Sequence, residues 1–533
     1  MKIADYLLHT LKRNGLTTVF GNPGTTEIPL VSACEQLPGM KYVVALSEIA
    51  AVPMADGYAR AARKPGVVNL HVAPGLGNGM GALYTAGIAG TPLLVLIGGQ
   101  DRRFLHTDPI LWGPVDRMAH TVCKAVYTLN TRHDAAASVQ RALQAVITPP
   151  YKPVALICPP DLLNEHMEDT PRVVQAPVAG GLADVDARRY ASWLAKARKP
   201  AFVVTEEVYW SGAGRDVEAL ASAVNAAIYA APYTGVLPVS SRSRAYGGYL
   251  PPSFSQIAQR LDAHDAVLIL GGRGFRTTLY SDPRIAVRKA WIGHGPEVPA
   301  FDGGLELACM ADTGVAVRAI SSALARRSSK QQPLPRRAGL VVPPAAKGLH
   351  PTRAMQMLLS RYQRSVWVDE SGLSTSDVRA LMKLPAGDYF INGSGGIGWG
   401  VPAAVGAALA RQDRQVVAVV GDGSALYASE ALWTAAHQGV KLLLVVLSNR
   451  RYATLNEAAG RLAGQALRSF TIEPPMMDFG GLARLYGFRH FAAATERELE
   501  RALARAGDAL ETNTLLEIEL DPALKPVTAS RHF

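Results

Sequence analysis

Short runs rich in Val, Ile and Leu recur along the chain, with segments of helical apolar spacing between them: VVNLHVA, PLLVLIGG, PVALICPP, AFVVTEE, AVLILGG, VVAVVGDG and LLLVVLSN. Uninterrupted apolar runs of this length mark strands buried on both faces, as in parallel sheets covered by helices. Two polar or proline-rich stretches divide the series, one around 165–181 and one from Ser328 to about His350, and both read as linkers. The pattern predicts an α/β chain of three doubly wound parallel-sheet domains, at 1–165, 180–330 and 350–533. A length of 533 residues agrees, since a single core stops growing at about 250–300 residues.

Composition narrows the partners. The formal charge of +11 invites a nucleic-acid reading, but the basic pairs Arg102-Arg103, Arg326-Arg327 and Arg336-Arg337 are scattered and not interleaved with aromatics. A solvated basic surface and no nucleic-acid partner are expected. Cys34, Cys123, Cys158 and Cys309 lie far apart without metal or disulfide spacing, and read as buried thiols. No apolar run reaches the roughly 18 residues of a membrane helix, and MKIADYLLHTLKRNG has helical spacing without a signal-peptide core. A cytoplasmic protein with no membrane contact is the expectation.

The richest chemistry lies in QVVAVVGDGSALYASEALWTAAHQGVKLLLVVLSNRRYATLN. A buried strand ends at Gly421-Asp422-Gly423-Ser424, a helix follows, and a second strand ends at Ser448-Asn449. A right-handed crossover brings both loops to the carboxyl end of the sheet, where open α/β folds bind ligands; neighbouring strands would put the two loops about 5 Å apart. A carboxylate and an amide oxygen there suit a hard cation such as Mg²⁺, whose shell phosphate oxygens and water complete. The amides of Gly423 and Ser424 at a helix start favour an anion. Gly-Asp-Gly by itself reads first as a turn with Asp capping a helix, and Asn449 shifts that balance toward a site.

Three further segments are strand, glycine turn and helix in sequence: TTVFGNPGTTEIPL, ALSEIAAVPMADGYARA and VVNLHVAPGLGNGMGAL. Gly75-Leu76-Gly77-Asn78-Gly79-Met80 departs from a dinucleotide fingerprint, because Met80 holds the third glycine position. Together with INGSGGIGWGVPAAVGAAL these segments resemble the benzoylformate decarboxylase family and, more loosely, the wider thiamine-diphosphate-dependent 2-oxo-acid decarboxylase and acetolactate synthase superfamily. The likeness spans the whole chain, strongest over the first 100 residues and 390–455, weak in the middle block.

The resemblance implies thiamine diphosphate and Mg²⁺ as cofactors, with an N-terminal pyrimidine-binding domain and a C-terminal diphosphate-binding domain flanking a central one. It implies that Asp422 and Asn449 give side-chain oxygens, and Arg451 a backbone carbonyl, to Mg²⁺. Gly423, Ser424 and Tyr452 would contact the cofactor, the carbonyl of Gly395 would accept its exocyclic amine, and Ile397 would wedge between its rings, although packing alone accounts for Ile397 as well. Glu48 would hydrogen-bond the aminopyrimidine; without the family context it reads equally as a Glu at a helix N-terminus. His71 would orient substrate and relay protons, and Thr25 would stand where the family has a serine that touches the substrate carboxylate. Leu111 and Trp112 are candidates for an apolar substrate wall or for ordinary core.

The family's second active-site histidine is expected after AVLILGGRGFR, where this chain reads Arg276-Thr277-Thr278-Leu279-Tyr280. Thr278 then joins the candidate pocket, and His71, Tyr280, His106 or water is left to supply the proton. The expected reaction is non-oxidative decarboxylation of a small 2-oxo acid of the benzoylformate type to an aldehyde and carbon dioxide. Carboligation or acyl transfer of the acetolactate synthase type, and a cofactor-binding protein without turnover, stand as alternatives. The family also implies a homodimer or homotetramer, with Glu48 of one chain facing Asp422 of another.

Overall fold

The computed structural model describes residues 1–177, 180–278, 285–299, 304–324, 340–342, 348–507 and 512–528. It contains three six-stranded sheets, one in each expected third of the chain, and every strand pair in them is parallel. The expected linker around Ser328 falls largely outside the described residues.

The first sheet is built from β1 (Thr18–Gly21), β2 (Lys41–Val44), β3 (Gly66–Leu70), β4 (Leu93–Gly98), β5 (Ala125–Thr128) and β6 (Val154–Cys158), in the order β2-β1-β3-β4-β6-β5. The middle sheet comprises β7 (Pro200–Val204), β8 (Ala227–Ala230), β9 (Tyr246–Tyr249), β10 (Ala266–Leu270), β11 (Arg288–Gly293) and β12 (Leu305–Met310), in the order β12-β11-β10-β7-β8-β9. The third contains β13 (Val366–Glu370), β14 (Tyr389–Ile391), β15 (Val416–Gly421), β16 (Leu442–Ser448), β17 (Arg489–Ala493) and β18 (Thr514–Glu519), in the order β14-β13-β15-β16-β18-β17. The first and third sheets thus share one topology. The middle sheet has the other common doubly wound order, in which the switch point lies between its first and fourth strands.

The first and third units are clamped together by two helices, Glu48–Ala62 and Gly400–Ala410. Both are almost wholly buried and rich in small residues, so their backbones meet: a Cβ at Gly57 would lie 2.1 Å from Ala403 O, and one at Gly406 1.9 Å from Met54 O. The pairing of 57 with 403 and of 54 with 406 makes the helices antiparallel.

A buried ion pair fixes the joint. Arg60 Nη2 lies 2.6 Å from Asp56 Oδ2, and Trp399 Nε1 donates to the same oxygen at 2.7 Å. Arg60 Nη1 also donates to Gly235 O and Ile391 O at 2.9 and 2.8 Å, so one guanidinium binds all three units. With each guanidinium nitrogen and both carboxylate oxygens hydrogen-bonded, the buried charges avoid the several kcal/mol that an unpaired ion costs.

Among the described residues no helix is long and apolar enough to cross a membrane. All four cysteines are free; Cys34, Cys123 and Cys158 are buried as expected, whereas Cys309 on edge strand β12 is only partly so.

Candidate active site

β15 and β16 are neighbours in register, with Gly421 opposite Leu447, so their ends deliver Asp422 and Asn449 side by side. The Asp422 carboxylate gathers three backbone amides: Gly423 N at 2.8 Å on Oδ1, and Asn449 N and Arg450 N at 2.9 and 2.6 Å on Oδ2. Arg450 takes a left-handed φ of 62° to turn its amide inward. Burial pushes the Asp422 carboxyl above its ordinary value, and the amide donors offset only part of that rise. Asn449 Oδ1 accepts Arg451 N at 3.2 Å, and Arg451 O accepts Ala453 N at 2.9 Å.

A cavity of about 910 Å³ opens over these strand ends. Asp422, Gly423, Ser424, Asn449, Arg451, Tyr452, Gly395 and Ile397 all line it, so the residues expected at the diphosphate end, the metal and the loop beneath the cofactor converge on one space. The donor set is one carboxylate, one amide oxygen and a peptide carbonyl, which fits a hard cation whose remaining ligands are phosphate and water. Gly395 has φ 82°, a conformation open to glycine, and nothing within 4 Å of where its Cβ would be. A diphosphate and its metal therefore fit the residues present.

Two parts of this wall escaped the sequence reading. Ser371, and Gly372 and Leu373 of the 3₁₀ turn Gly372–Ser374, line the cavity beside β13, a neighbour of β15. Behind them Glu370 is buried and accepts four N–H groups: Asn392 Nδ2 at 3.0 Å, and the amides of Gly398, Trp399 and Gly400 at 3.3, 3.2 and 2.9 Å. It holds both ends of the loop that carries Gly395 and Ile397. The signal was the run Asp369-Glu370-Ser371-Gly372 at the end of an apolar strand, a polar break of the same kind as Gly421-Asp422-Gly423.

Three more of the expected residues, Thr25, Glu48 and His71, lie at the carboxyl ends of the first sheet. Glu48 opens the helix Glu48–Ala62 after an N-cap at Ser47, and accepts Asn22 Nδ2 and Asn78 Nδ2 at 3.3 and 3.1 Å. His71 caps the helix Val72–Ile88, ahead of Val72, which is held at φ 39° where a β-branched residue is strained. The His71 ring is 2.8 Å from Glu27 Oε2 and 3.2 Å from Thr26 Oγ1. Glu27, buried and also bonded to Gly24 N at 2.9 Å, is a further residue the sequence reading missed; it lies in the same GNPGTTE turn as Thr25. Thr25 itself is exposed at the start of a 3₁₀ turn.

These two clusters do not meet within one chain. Thr25, Glu48 and His71 are absent from the cavity wall. The helix Val72–Ile88 measures the gap: Gly75 abuts Glu48, while Thr85 Oγ1 touches Ser394 Oγ at 2.8 Å, and the ten steps from 75 to 85 rise about 15 Å.

Leu111 and Trp112 are not core: both are exposed, Leu111 with a left-handed φ of 68°, and neither lines the cavity. His106 sits in an exposed 3₁₀ segment, also off the cavity wall. Tyr280 and Leu279 lie outside the described residues. Thr278 is held by its amide on Pro252 O at 3.0 Å, and its hydroxyl touches the Tyr233 hydroxyl.

Comparison with known proteins agrees with this geometry. The thiamine pyrophosphate enzyme N-terminal TPP binding domain matches residues 1–121, and the C-terminal TPP binding domain matches 370–518. A benzoylformate decarboxylase of Pseudomonas aeruginosa is 32% identical over 93% of this chain and 94% of its own length. The solved structure of benzoylformate decarboxylase from Polynucleobacter necessarius superposes with a TM-score of 0.91 over 99% of this chain and 100% of its own, at 24% identity, a likeness of fold. That of a thiamine diphosphate-dependent 4-hydroxybenzoylformate decarboxylase from Rhodococcus jostii RHA1 gives 0.88 at 27% identity, covering 98% of this chain and 100% of its own.

Proposed function

The chain belongs to the thiamine-diphosphate-dependent 2-oxo-acid decarboxylase and acetolactate synthase superfamily, and from that premise we propose that it decarboxylates a benzoylformate-like 2-oxo acid to the aldehyde. The observation that carries the reading is the single cavity lined by Asp422, Gly423, Asn449, Gly395 and Ile397, matched by a separate cluster of Glu48 and His71.

In this reading Asp422, Asn449 and the Arg451 carbonyl would hold Mg²⁺, which would neutralise a diphosphate held by the Ser424 amide beside Gly423 and Tyr452. When bound, thiamine diphosphate supplies the sink for the electron pair that carbon dioxide leaves behind. Gly395 and Ile397, locked by Glu370, orient the cofactor's rings. Glu48 hydrogen-bonds the pyrimidine. Its second carboxylate oxygen stays engaged by Asn78, so the group is positioned before cofactor arrives. His71, set by Glu27, handles protons near the substrate, and Thr25 offers a hydroxyl to its carboxylate.

Because the two clusters are separated in one chain, the site is completed by a second copy, in a homodimer or a homotetramer. Leu46, Tyr84, Ile397, Leu426 and Tyr427 are exposed apolar side chains on or near the two clusters, the surface such a partner would cover. Leu111 and Trp112, exposed in a single chain, would then face the partner's cavity as substrate wall together with Thr278. The pyrimidine, central and diphosphate units are assigned to 1–165, 180–330 and 350–533.

Pure protein with Mg²⁺ and thiamine diphosphate is to be incubated with benzoylformate and with pyruvate, and products identified by mass. Benzaldehyde from benzoylformate is the expected result. A longer hydroxyketone would assign the chain to carboligation, and no consumption of either acid would overturn the decarboxylase reading.

A further inference from the structure

Expelling carbon dioxide from a 2-oxo acid leaves a carbon that has to be protonated. Among the described residues no histidine lines the cavity around Asp422 and Ile397. The wall does carry phenols. Tyr249 lies beneath the Arg379 guanidinium, 3.9 Å from its ring centre, and Tyr452 packs against Gly423 at the diphosphate end. Tyr233 is placed differently.

The segment following Tyr233 crosses from the middle unit to pair with the third. Ile391 N donates to Gly235 O at 3.0 Å, Leu237 N donates to Tyr389 O at 2.9 Å, and the buried Arg60 binds Gly235 O as well. These bonds pin Tyr233 against the base of the loop that carries Gly395 and Ile397; its own carbonyl would lie 3.2 Å from a Cβ at Gly393. Tyr233 lines the same cavity as Asp422 and Ile397, and its hydroxyl touches Thr278 Oγ1. Thr278 stands in the segment where the family resemblance predicts a histidine.

We propose that Tyr233, hydrogen-bonded to Thr278, is the catalytic proton donor that replaces that histidine. The proposal rests on the decarboxylase reading. When the carboxylate C–C bond breaks, its electron pair remains at the former keto carbon. The Tyr233 O–H bond then breaks, a C–H bond forms at that carbon, and the phenolate regains a proton from water through the Thr278 hydroxyl. The proton taken up by the keto oxygen on addition is returned when the aldehyde leaves, so one solvent proton is consumed per turnover. Burial holds the phenol above its ordinary value of 10, with Arg379 opposing, so the hydroxyl carries its proton at neutral pH.

The test compares wild type with Tyr233→Phe, Thr278→Val and Thr278→Ser, all loaded with Mg²⁺ and thiamine diphosphate. Kinetics use whichever of benzoylformate and pyruvate the wild type consumes. Binding of the matching unreactive 2-hydroxy acid, mandelate or lactate, is read by calorimetry. Tyr233→Phe is expected to lower kcat on the order of 10²-fold. It is expected to weaken the 2-hydroxy acid about threefold to tenfold, the loss of one hydrogen bond, while thiamine diphosphate binds as before. Thr278→Val should lower kcat by a smaller factor and Thr278→Ser should restore it.

A kcat for Tyr233→Phe within about twofold of wild type, a range below any general-acid contribution, overturns the proposal and leaves the decarboxylase reading standing. A fall in kcat with unaltered 2-hydroxy-acid affinity, or with lost thiamine diphosphate binding, overturns it too, because the phenol then acts away from the substrate. A wild type that consumes neither acid overturns both.

Discussion

Two buried carboxylates outside the proposed ligand set position other parts of the site. Glu27 receives Gly24 N, Thr26 Oγ1 and the His71 ring, and so selects which ring nitrogen of His71 carries the proton. Glu27→Gln keeps the volume but presents an amide where the ring needs an acceptor. Turnover of the 2-oxo acid is expected to fall on the order of 10²-fold, with urea unfolding of the same variant separating lost positioning from lost fold. Glu370 is the other. Burial pushes its carboxyl from an ordinary 4.5 up to about 7, against the four N–H donors it accepts. A carboxyl whose folded value is raised stabilises the fold fully below its unfolded value, and that contribution is lost as pH rises through the folded one. Between pH 4.5 and about 7 the stability of wild type should therefore drop relative to Glu370→Gln, by up to about 1.4 kcal/mol per pH, as measured by urea unfolding at stepped pH. Asp422 and Asn449 were legible because a polar break at the end of an apolar strand stands out. Glu370 ends an apolar strand in a similar polar break, but what it holds, like what Glu27 and Tyr233 touch, lies far off in sequence: 392–400 for Glu370, His71 for Glu27 and Thr278 for Tyr233.

Among the elements, the helix pair Glu48–Ala62 and Gly400–Ala410 does most to set the frame. At Gly57 and Gly406 the approach is backbone to backbone, so no side chain can swing away to admit a methyl group. Gly57→Ala or Gly406→Ala is expected to destabilise the chain by roughly 1–3 kcal/mol or more, the cost of overpacking, outweighing the gain of about 1 kcal/mol that Ala brings to a helix. Equilibrium urea unfolding checks the sign; a neutral or stabilising outcome would show that the helices can part. The sequence marks GVPAAVGAALA as apolar on every side and hence buried, but cannot name its partner. Strands show the same division. Central strands such as β4 and β16 are fully buried and were visible as apolar runs. Edge strands β2, β12 and β17 have one open side and a mixed burial pattern, so no apolar run announces them. Strand order was not legible either, because crossovers connect runs that look alike.

At the scale of the molecule, one chain is not a complete catalyst in this reading. The antiparallel packing of Glu48–Ala62 on Gly400–Ala410 sends Glu48 toward the far end of the pair from Gly395 and Ile397, and Val72–Ile88 spaces the clusters by about 15 Å. A partner related by twofold symmetry would set its Glu48 and His71 over this chain's Asp422, and the reverse, giving two equal sites per dimer. Complementation decides the matter. Glu48→Gln and Asp422→Asn are each expected to abolish turnover alone. Co-expressed with different affinity tags and purified through both, the mixed dimer holds one site with both substitutions and one with neither. It should regain about half the activity of wild type, or about a quarter in an unsorted equal mixture. If each site lay within a single chain, every site of the mixed dimer would carry one defect, and its activity would stay at the level of the parent variants.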